Sequence, residues 1–390
     1  MSTVILPPEP DVPDLLAAAQ AAAGLYEFGT DWVRASLDNV VRLLNEDTSL
    51  SPEHRAAAHR QLVDVLAGRL RLVADRGRHP GIDREKIEAP IIVMGFGRSG
   101  TTFLHSLIAE DPQNRAPRYW EVARPSPPPA TAGPDDPRIG AGHRDVEDWL
   151  AGLPGFITQH PYWDQGGLAL MECESFFVYN LSHHYPVQQS KIPFGTRWAV
   201  DVDETTRYEF HRSFLQHLQY GGPPRRWALK GVDHQYHLTG LRAVYPDARL
   251  VWAHRDPVQV MGSLLEVTLQ LTRGTGGDSA DRTALARAWV DRYRSRLDRA
   301  LANPLAADPR ICHVRYPDLT ADPVGTVHGI YRHFGLEVSN DHETRMSHWL
   351  ADPANRSDRH GKWTYALAEH GVDPAWISAL FADYRARFDV

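Results

Sequence analysis

Gly95, Phe96, Gly97, Arg98, Ser99, Gly100, Thr101 and Thr102 directly follow the apolar run Ile91-Ile92-Val93-Met94. A short continuous run of this kind suits a buried parallel strand. The residues from Thr102 to Ala109 carry a helical pattern. Strand, glycine-rich turn and helix together make an anion-binding geometry. Glycines admit positive φ and close backbone approach. Backbone N–H groups then point into the turn, and the helix N-terminus adds roughly half a positive charge. Ser99, Thr101 and Thr102 add hydroxyls, and Arg98 adds a fixed cation. Such a turn holds one phosphate-like group.

Departures from better-known glycine turns narrow the chemistry. A nucleotide-triphosphatase loop reads G-x-x-x-x-G-K-[ST]. Gly95 and Gly100 keep that spacing, but Thr101 stands where the lysine belongs. Without that lysine the turn is poorly arranged for a Mg²⁺-bound triphosphate. The hydrolase elbow G-x-S-x-G also fails, because it needs glycine at the position of Thr101.

Two further strand ends carry chemistry. Arg255 follows Arg249-Leu250-Val251-Trp252-Ala253, and Ser263 lies on the helical pattern after it. A planar guanidinium fork suits a second phosphate. Lys230 and His234 follow Trp227-Ala228-Leu229. A histidine near neutral pKa suits removal of a proton from an alcohol or phenol at pH 7.

The loop resembles that of the PAPS-dependent sulfotransferases, bacterial branch, which reads G-x-P-R-S-G-T-T. The resemblance also covers Lys230 to Ser263, Tyr316 to Gly335 and Gly361 to Phe388, in the family's order. It implies PAPS (3′-phosphoadenosine 5′-phosphosulfate) as co-substrate. No metal is required, because the leaving bisphosphate is held by arginine and amide donors. It implies that Gly97, Arg98, Ser99, Gly100, Thr101 and Thr102 hold the 5′-phosphosulfate, with Arg98 on the bridging oxygen as the S–O bond breaks. Phe103 would stack on adenine, with plain helix core as the other reading. Arg255 and Ser263 would hold the 3′-phosphate, Tyr316 the adenine side, and Arg359 and Lys362 a closing basic segment. Lys230 and His234 match the family's L-K-S-P-x-H, with Gly231 and Val232 departing from it. His234 is the leading base; His237 and Glu121 are its rivals. Glu172 and Glu174 resemble the branch's P-E-E-C segment and read as scaffold or pocket residues. Gly97 stands where the branch usually has proline, which predicts a looser turn.

The rest of the chain must position these groups. Apolar stripes over residues 1–89 predict an N-terminal helical segment, with Ser51-Pro52-Glu53 opening one helix. From residue 90, strand-like runs alternate with helical patterns. This predicts an α/β fold with a P-loop-type parallel sheet flanked by helices over 90–390. Residues 117–220 form an insertion whose start, Pro125 to Pro137, reads as a surface loop. Its aromatics, Tyr162, Trp163, Phe176, Phe177, Tyr179, Tyr185, Phe194 and Trp198 among them, read equally as a small core or as the wall of an acceptor pocket. Gly274-Thr275-Gly276-Gly277 reads as a loop.

Composition excludes several classes. The chain has 390 residues, 42 Lys plus Arg against 49 Asp plus Glu, and a net charge of −7. A nucleic-acid partner normally needs a basic stripe, so none is expected. The mean hydropathy is −0.41, and no apolar run approaches the ~20 residues of a membrane span. Two cysteines, Cys173 and Cys312, exclude a disulfide framework and a zinc site built on cysteine pairs. They suit a reducing cytoplasm, and Met1 to Val12 does not read as a signal peptide. The expected activity is sulfuryl transfer to a hydroxyl of a small, apolar alcohol or phenol. The alternatives are a P-loop small-molecule kinase and a non-catalytic nucleotide-binding protein on the same fold. The sequence leaves the acceptor and the oligomeric state open.

Overall fold

The computed structural model describes residues 11–30, 32–46, 51–182, 203–273 and 282–390. Five strands, β1 (Ile91–Gly95), β2 (Asn114–Arg115), β3 (Arg226–Gly231), β4 (Arg249–His254) and β5 (Cys312–Arg315), form one sheet. Their order is β2-β3-β1-β4-β5, and every neighbouring pair is parallel. The four apolar runs of the sequence form β1, β3, β4 and β5. β2 has no such run. It is placed by polar contacts: Arg226 N–H donates to Gln113 O at 3.0 Å, and the Arg226 guanidinium bonds Asn114 and Asp111.

β1 is central and fully buried. Ile91 and Val93 face a core shared with Leu104 and Ile108, while Ile92 and Met94 face one shared with Phe176, Phe177 and Trp227. This is the period-2 alternation of a strand covered on both faces. After β1 the chain moves outward to β2 and returns through β3; later it crosses to β4 and β5. The order therefore reverses around β1, and a crevice opens at the carboxyl ends of the strands at such a point.

The N-terminal segment is helical: α1 (Val12–Ala23), α2 (Trp32–Glu46) and α3 (Pro52–Arg78). Pro52 opens α3, as its N-terminal signal predicts. Leu37, Val40, Leu62, Leu66 and Leu70 meet in one apolar cluster that also takes in Val178 and Leu181 of the insertion. Arg69 fastens the same contact, donating to Phe28 O at 2.7 Å and Tyr179 O at 3.2 Å.

The insertion holds α5 (Tyr119–Ala123) and α6 (Pro137–Ala151) and several short 3₁₀ turns. The predicted loop Pro125–Pro137 contains one 3₁₀ turn, Pro129–Thr131, and ends where α6 begins. The insertion's aromatics divide. Phe176 and Phe177 are fully buried against the sheet, while Tyr162 and Trp163 line a cavity. Tyr185, Phe194, Trp198 and Gly274-Thr275-Gly276-Gly277 lie outside the described residues.

The helix after the turn, α4 (Thr101–Ala109), is locked to β3 by His105, whose Nε2 lies 3.0 Å from Ala228 O. Burial, then the nearby charge of Lys230, lowers the His105 pKa from 6.5 to about 4. The unfolded chain therefore takes up this proton near pH 6.5, while the folded chain refuses it until about pH 4. His105 stability is fully present above pH 6.5 and is lost as pH falls, by roughly 1 kcal/mol per pH unit. Urea unfolding between pH 7 and 5 should show this decline, and His105→Gln should flatten it. Equal pH slopes in the two proteins would contradict the assignment.

Candidate active site

The turn between β1 and α4 is held in shape by its glycines. Gly95 has φ 144°, and a Cβ there would stand 2.4 Å from Ala253 O. Gly100 caps α4 at φ 87°, and a Cβ would meet the Tyr316 ring at 2.8 Å. Arg98 itself sits at φ 71°. Gly97 needs no glycine geometry, since a Cβ there would make an ordinary 3.4 Å contact with Leu264. Ser99 is fully buried, and both its N–H and its hydroxyl turn back to Phe96 O, at 3.2 and 2.6 Å. Its hydroxyl is thus a brace of the turn. Ser99 does not line the cavity described below.

Arg98, Arg255, Ser263 and Tyr316 interlock around the turn. Arg98 donates from Nε to Ser263 Oγ at 2.9 Å and from Nη1 to Gln159 O at 2.9 Å. Arg255 donates to Arg98 O at 2.8 Å and to Gln259 Oε1 at 3.2 Å, and its guanidinium lies 4.1 Å from the Tyr316 ring centroid. All these acceptors are uncharged. Burial, and the repulsion of Arg255, lowers the Arg98 pKa from its ordinary value. Two cations side by side with neutral acceptors form a site that an anion would stabilise.

Lys230, at the end of β3, is 3% exposed. Its Nζ donates to Thr102 Oγ1 at 3.0 Å and to Glu172 Oε1 at 2.6 Å. Glu172 is 28% exposed and lines the cavity. His160 lines it as well. Burial, Arg98 and Lys230 hold its pKa well below 6.5, so its imidazole is neutral at pH 7.

These groups open on one cavity of about 1790 Å³. Small-molecule pockets usually measure roughly 300–1,000 Å³, so this one has room for two ligands together. On one side of the turn stand Phe103, Tyr162, Trp349 and Lys362. Phe103 and Trp349 have centroids 5.8 Å apart, and Trp349 stacks with Tyr162 at 6.3 Å. The lining also takes in Tyr119, Val122, Trp149, Trp163, Val178 and Tyr179, the charged Arg124, Arg138 and Asp145, and Asp64, Val65, Gly68 and Arg71 of α3. The N-terminal segment therefore supplies part of the cavity wall.

The structure brings together Gly97, Arg98, Gly100, Thr101, Thr102, Phe103, Lys230, Arg255, Ser263, Tyr316 and Lys362 on this cavity. Four predicted residues, Ser99, His234, Glu121 and Arg359, do not line it. His234 is 1% exposed and does not line it; its Nδ1 is 2.7 Å from the Tyr208 hydroxyl, inside the core. Burial, then the charge of Arg207, lowers its pKa to about 3. Position and basicity both speak against His234 as the base. Its rival His237 pairs with Glu204 at 3.1 Å. Glu121 is buried in an ion pair with Arg115 at 2.6 Å and accepts from Arg118 N–H, closing the start of α5. Its carboxylate caps the start of α5. Arg359 is tied to Asp164 at 2.6 Å and does not line the cavity, so the basic closing segment reduces to Lys362. Glu172 lines the cavity, in keeping with one of the two roles its P-E-E-C-like segment suggests, but its pairing with Lys230 has no sequence signal. Sequence reasoning missed Trp349, which has no motif around it.

Fold and site define a P-loop-type α/β protein built around an anion-binding turn. The model of the sulfotransferase family matches residues 90–340, and the chain belongs to that family, as an enzyme. It is 27% identical over 287 residues to omega-hydroxy-beta-dihydromenaquinone-9 sulfotransferase Stf3 of Mycobacterium bovis and of Mycobacterium tuberculosis, covering 69% of this chain and 68% of theirs. Among solved structures, sulfotransferase STF9 from Mycobacterium avium superposes with a TM-score of 0.84 at 27% identity, covering 100% of this chain and 98% of that one. Sulfotransferase STF1 from M. tuberculosis gives 0.79 at 27% identity, covering 96% and 99%.

Gly100→Ala tests the turn. A side chain at this φ, pressed on Tyr316, should cost about 1–3 kcal/mol. The variant's denaturation midpoint should fall accordingly; a midpoint equal to that of the wild type would contradict the described turn.

Proposed function

We propose that this enzyme transfers the sulfuryl group of PAPS to the hydroxyl of an elongated, apolar alcohol, releasing adenosine 3′,5′-bisphosphate (PAP). The observation that carries this reading is the pairing of two arginines on neutral acceptors with a lysine–carboxylate pair, all on one cavity. PAPS is the general donor of the family, and its bisphosphate suits Arg98 and Arg255. Phe103, Trp349 and Tyr162 offer flat faces for the adenine. Lys362 lines the same cavity. The curated relatives are named for a hydroxylated menaquinone, a lipid. The aromatic and aliphatic side chains that line the cavity among charged ones, as far as α3, support an acceptor of similar length here.

In the proposed step the acceptor oxygen attacks sulfur in line with the bond to the 5′-phosphate. A new O–S bond forms, the old S–O bond breaks, and its electron pair stays on the phosphate oxygen. Arg98 and Lys230 stabilise that developing charge, a contribution usually worth about 10²–10³ in kcat per donor. Glu172 takes the acceptor's proton. It replaces His234 and Glu121 in that role because its carboxylate lies on the cavity and touches Lys230. Proton transfer to a positioned base is worth about 10²–10⁴.

Incubation with PAPS and a series of isoprenoid and aryl alcohols should give sulfated product from the long apolar members. Glu172→Gln should lower kcat by about 10²–10⁴ while leaving PAP affinity unchanged. Absence of any sulfated alcohol from a protein that binds PAP would overturn the acceptor class, and a fully active Glu172→Gln variant would overturn the base.

A further inference from the structure

Behind the cavity wall, three side chains from three elements converge in the core. Cys173 comes from the turn Cys173–Ser175, His211 from the helix Glu204–Gln219 and His234 from the turn after β3. The Cys173 sulfur and one ring nitrogen of each histidine lie within 4.8 Å of one another. All three residues are at most 1% exposed. His211 Nδ1 is 2.7 Å from the Tyr245 hydroxyl, and His234 Nδ1 is 2.7 Å from the Tyr208 hydroxyl. The Nε2 atoms of both rings have no hydrogen-bond partner among the described residues. Buried polar atoms left without a partner are costly, and two of them beside one sulfur call for a shared partner.

We propose that Cys173, His211 and His234 form a structural zinc site. Cysteine sulfur and imidazole nitrogen suit a borderline-soft d¹⁰ ion in tetrahedral coordination. The Nδ1–H groups donate to the tyrosine oxygens, which leaves each Nε2 lone pair for the metal. Such outer hydrogen bonds fix the tautomer and orientation of ligating histidines. The Cys173 thiol would give up its proton on binding. Glu174 stands beside the group. A Cβ on Gly231 would be 2.6 Å from His234 Nε2 and 2.8 Å from Glu174 Oε1, and Glu174 Oε2 has no partner among the described residues. Glu174 would fill the fourth position and lose its proton as it binds, so that one thiolate, one carboxylate and two neutral imidazoles balance a divalent ion, which a site this deep requires. Bonds of about 2.0–2.3 Å bring ligand atoms to roughly 3.5 Å separation, so the cluster tightens on loading. The site would pin the segment carrying Glu172 to the strand end carrying Lys230. It has no part in sulfuryl transfer itself.

The test uses the full chain purified from zinc-supplemented cells, with metal measured by inductively coupled plasma mass spectrometry. The expected content is about one zinc per chain, falling below about 0.1 in Cys173→Ser and His211→Gln. His237→Gln, outside the cluster, should keep the metal. Cobalt exchanged into the wild type should give a thiolate-to-metal charge-transfer band with tetrahedral d–d bands. The chain has two cysteines, so Cys312→Ser should keep that band, and this readout stands even where a cluster variant fails to fold. Well-folded wild type with neither zinc nor the cobalt band would overturn the proposal. Zinc retained by Cys173→Ser, or a band lost in Cys312→Ser, would overturn it as well.

Discussion

The rest of the site depends on one electrostatic constraint: cationic charge is concentrated at the carboxyl ends of the central strands and satisfied there by uncharged oxygens. Arg98 donates to a serine hydroxyl and a backbone carbonyl, and Arg255 to a backbone carbonyl and a glutamine. Guanidiniums so placed repel each other, and burial adds to that cost. The sheet bears it because the strand ends are rigid: β1 is buried on both faces, and Gly95 N–H is fixed by Gln235 from beyond β3. Rigid donors cost little reorganisation when charge develops opposite them.

Lys230 is the exception among these cations, because it has a carboxylate partner. The Lys230–Glu172 pair places an acidic and a basic group 2.6 Å apart on the wall between the turn and the aromatic lobe. Glu172 is carried by the insertion and Lys230 by the sheet, so their pairing depends on how the insertion packs. Cys173, Phe176 and Phe177 hold that segment in the sheet core. The N-terminal helices brace it from the other side through Val178, Leu181 and the Arg69–Tyr179 contact. The helical additions therefore help to position the Lys230–Glu172 pair as well as covering the core.

The parts of this arrangement that were legible in the sequence are local. β1, the turn and α4 are contiguous, so glycine spacing and an apolar run suffice to find them. The Arg255–Ser263 segment was legible for the same reason: a strand end and the next helix lie within a few residues. Three of the predicted residues that do not line the cavity share a cause. His234 matches a motif in sequence, but its direction is set by Tyr208 on a distant helix, which draws the ring into the core. Glu121 is claimed by Arg115, a partner set by the fold of its own loop. Arg359 is claimed by Asp164, which lies far from it along the chain. β2 carries no hydrophobic signal because a polar network places it. Side-chain direction and long-range ion pairs were therefore the parts the sequence did not disclose.

The central claim is that the turn with its two arginines is built for a bisphosphate without magnesium. Isothermal titration of the full chain with PAP in EDTA, and separately with Mg·ATP, tests it directly. The account predicts a PAP Kd of about 1 μM or tighter, roughly −8 kcal/mol, and at least about 100-fold weaker binding of Mg·ATP, a gap of roughly 2.7 kcal/mol. Tight binding of Mg·ATP with none of PAP would contradict it.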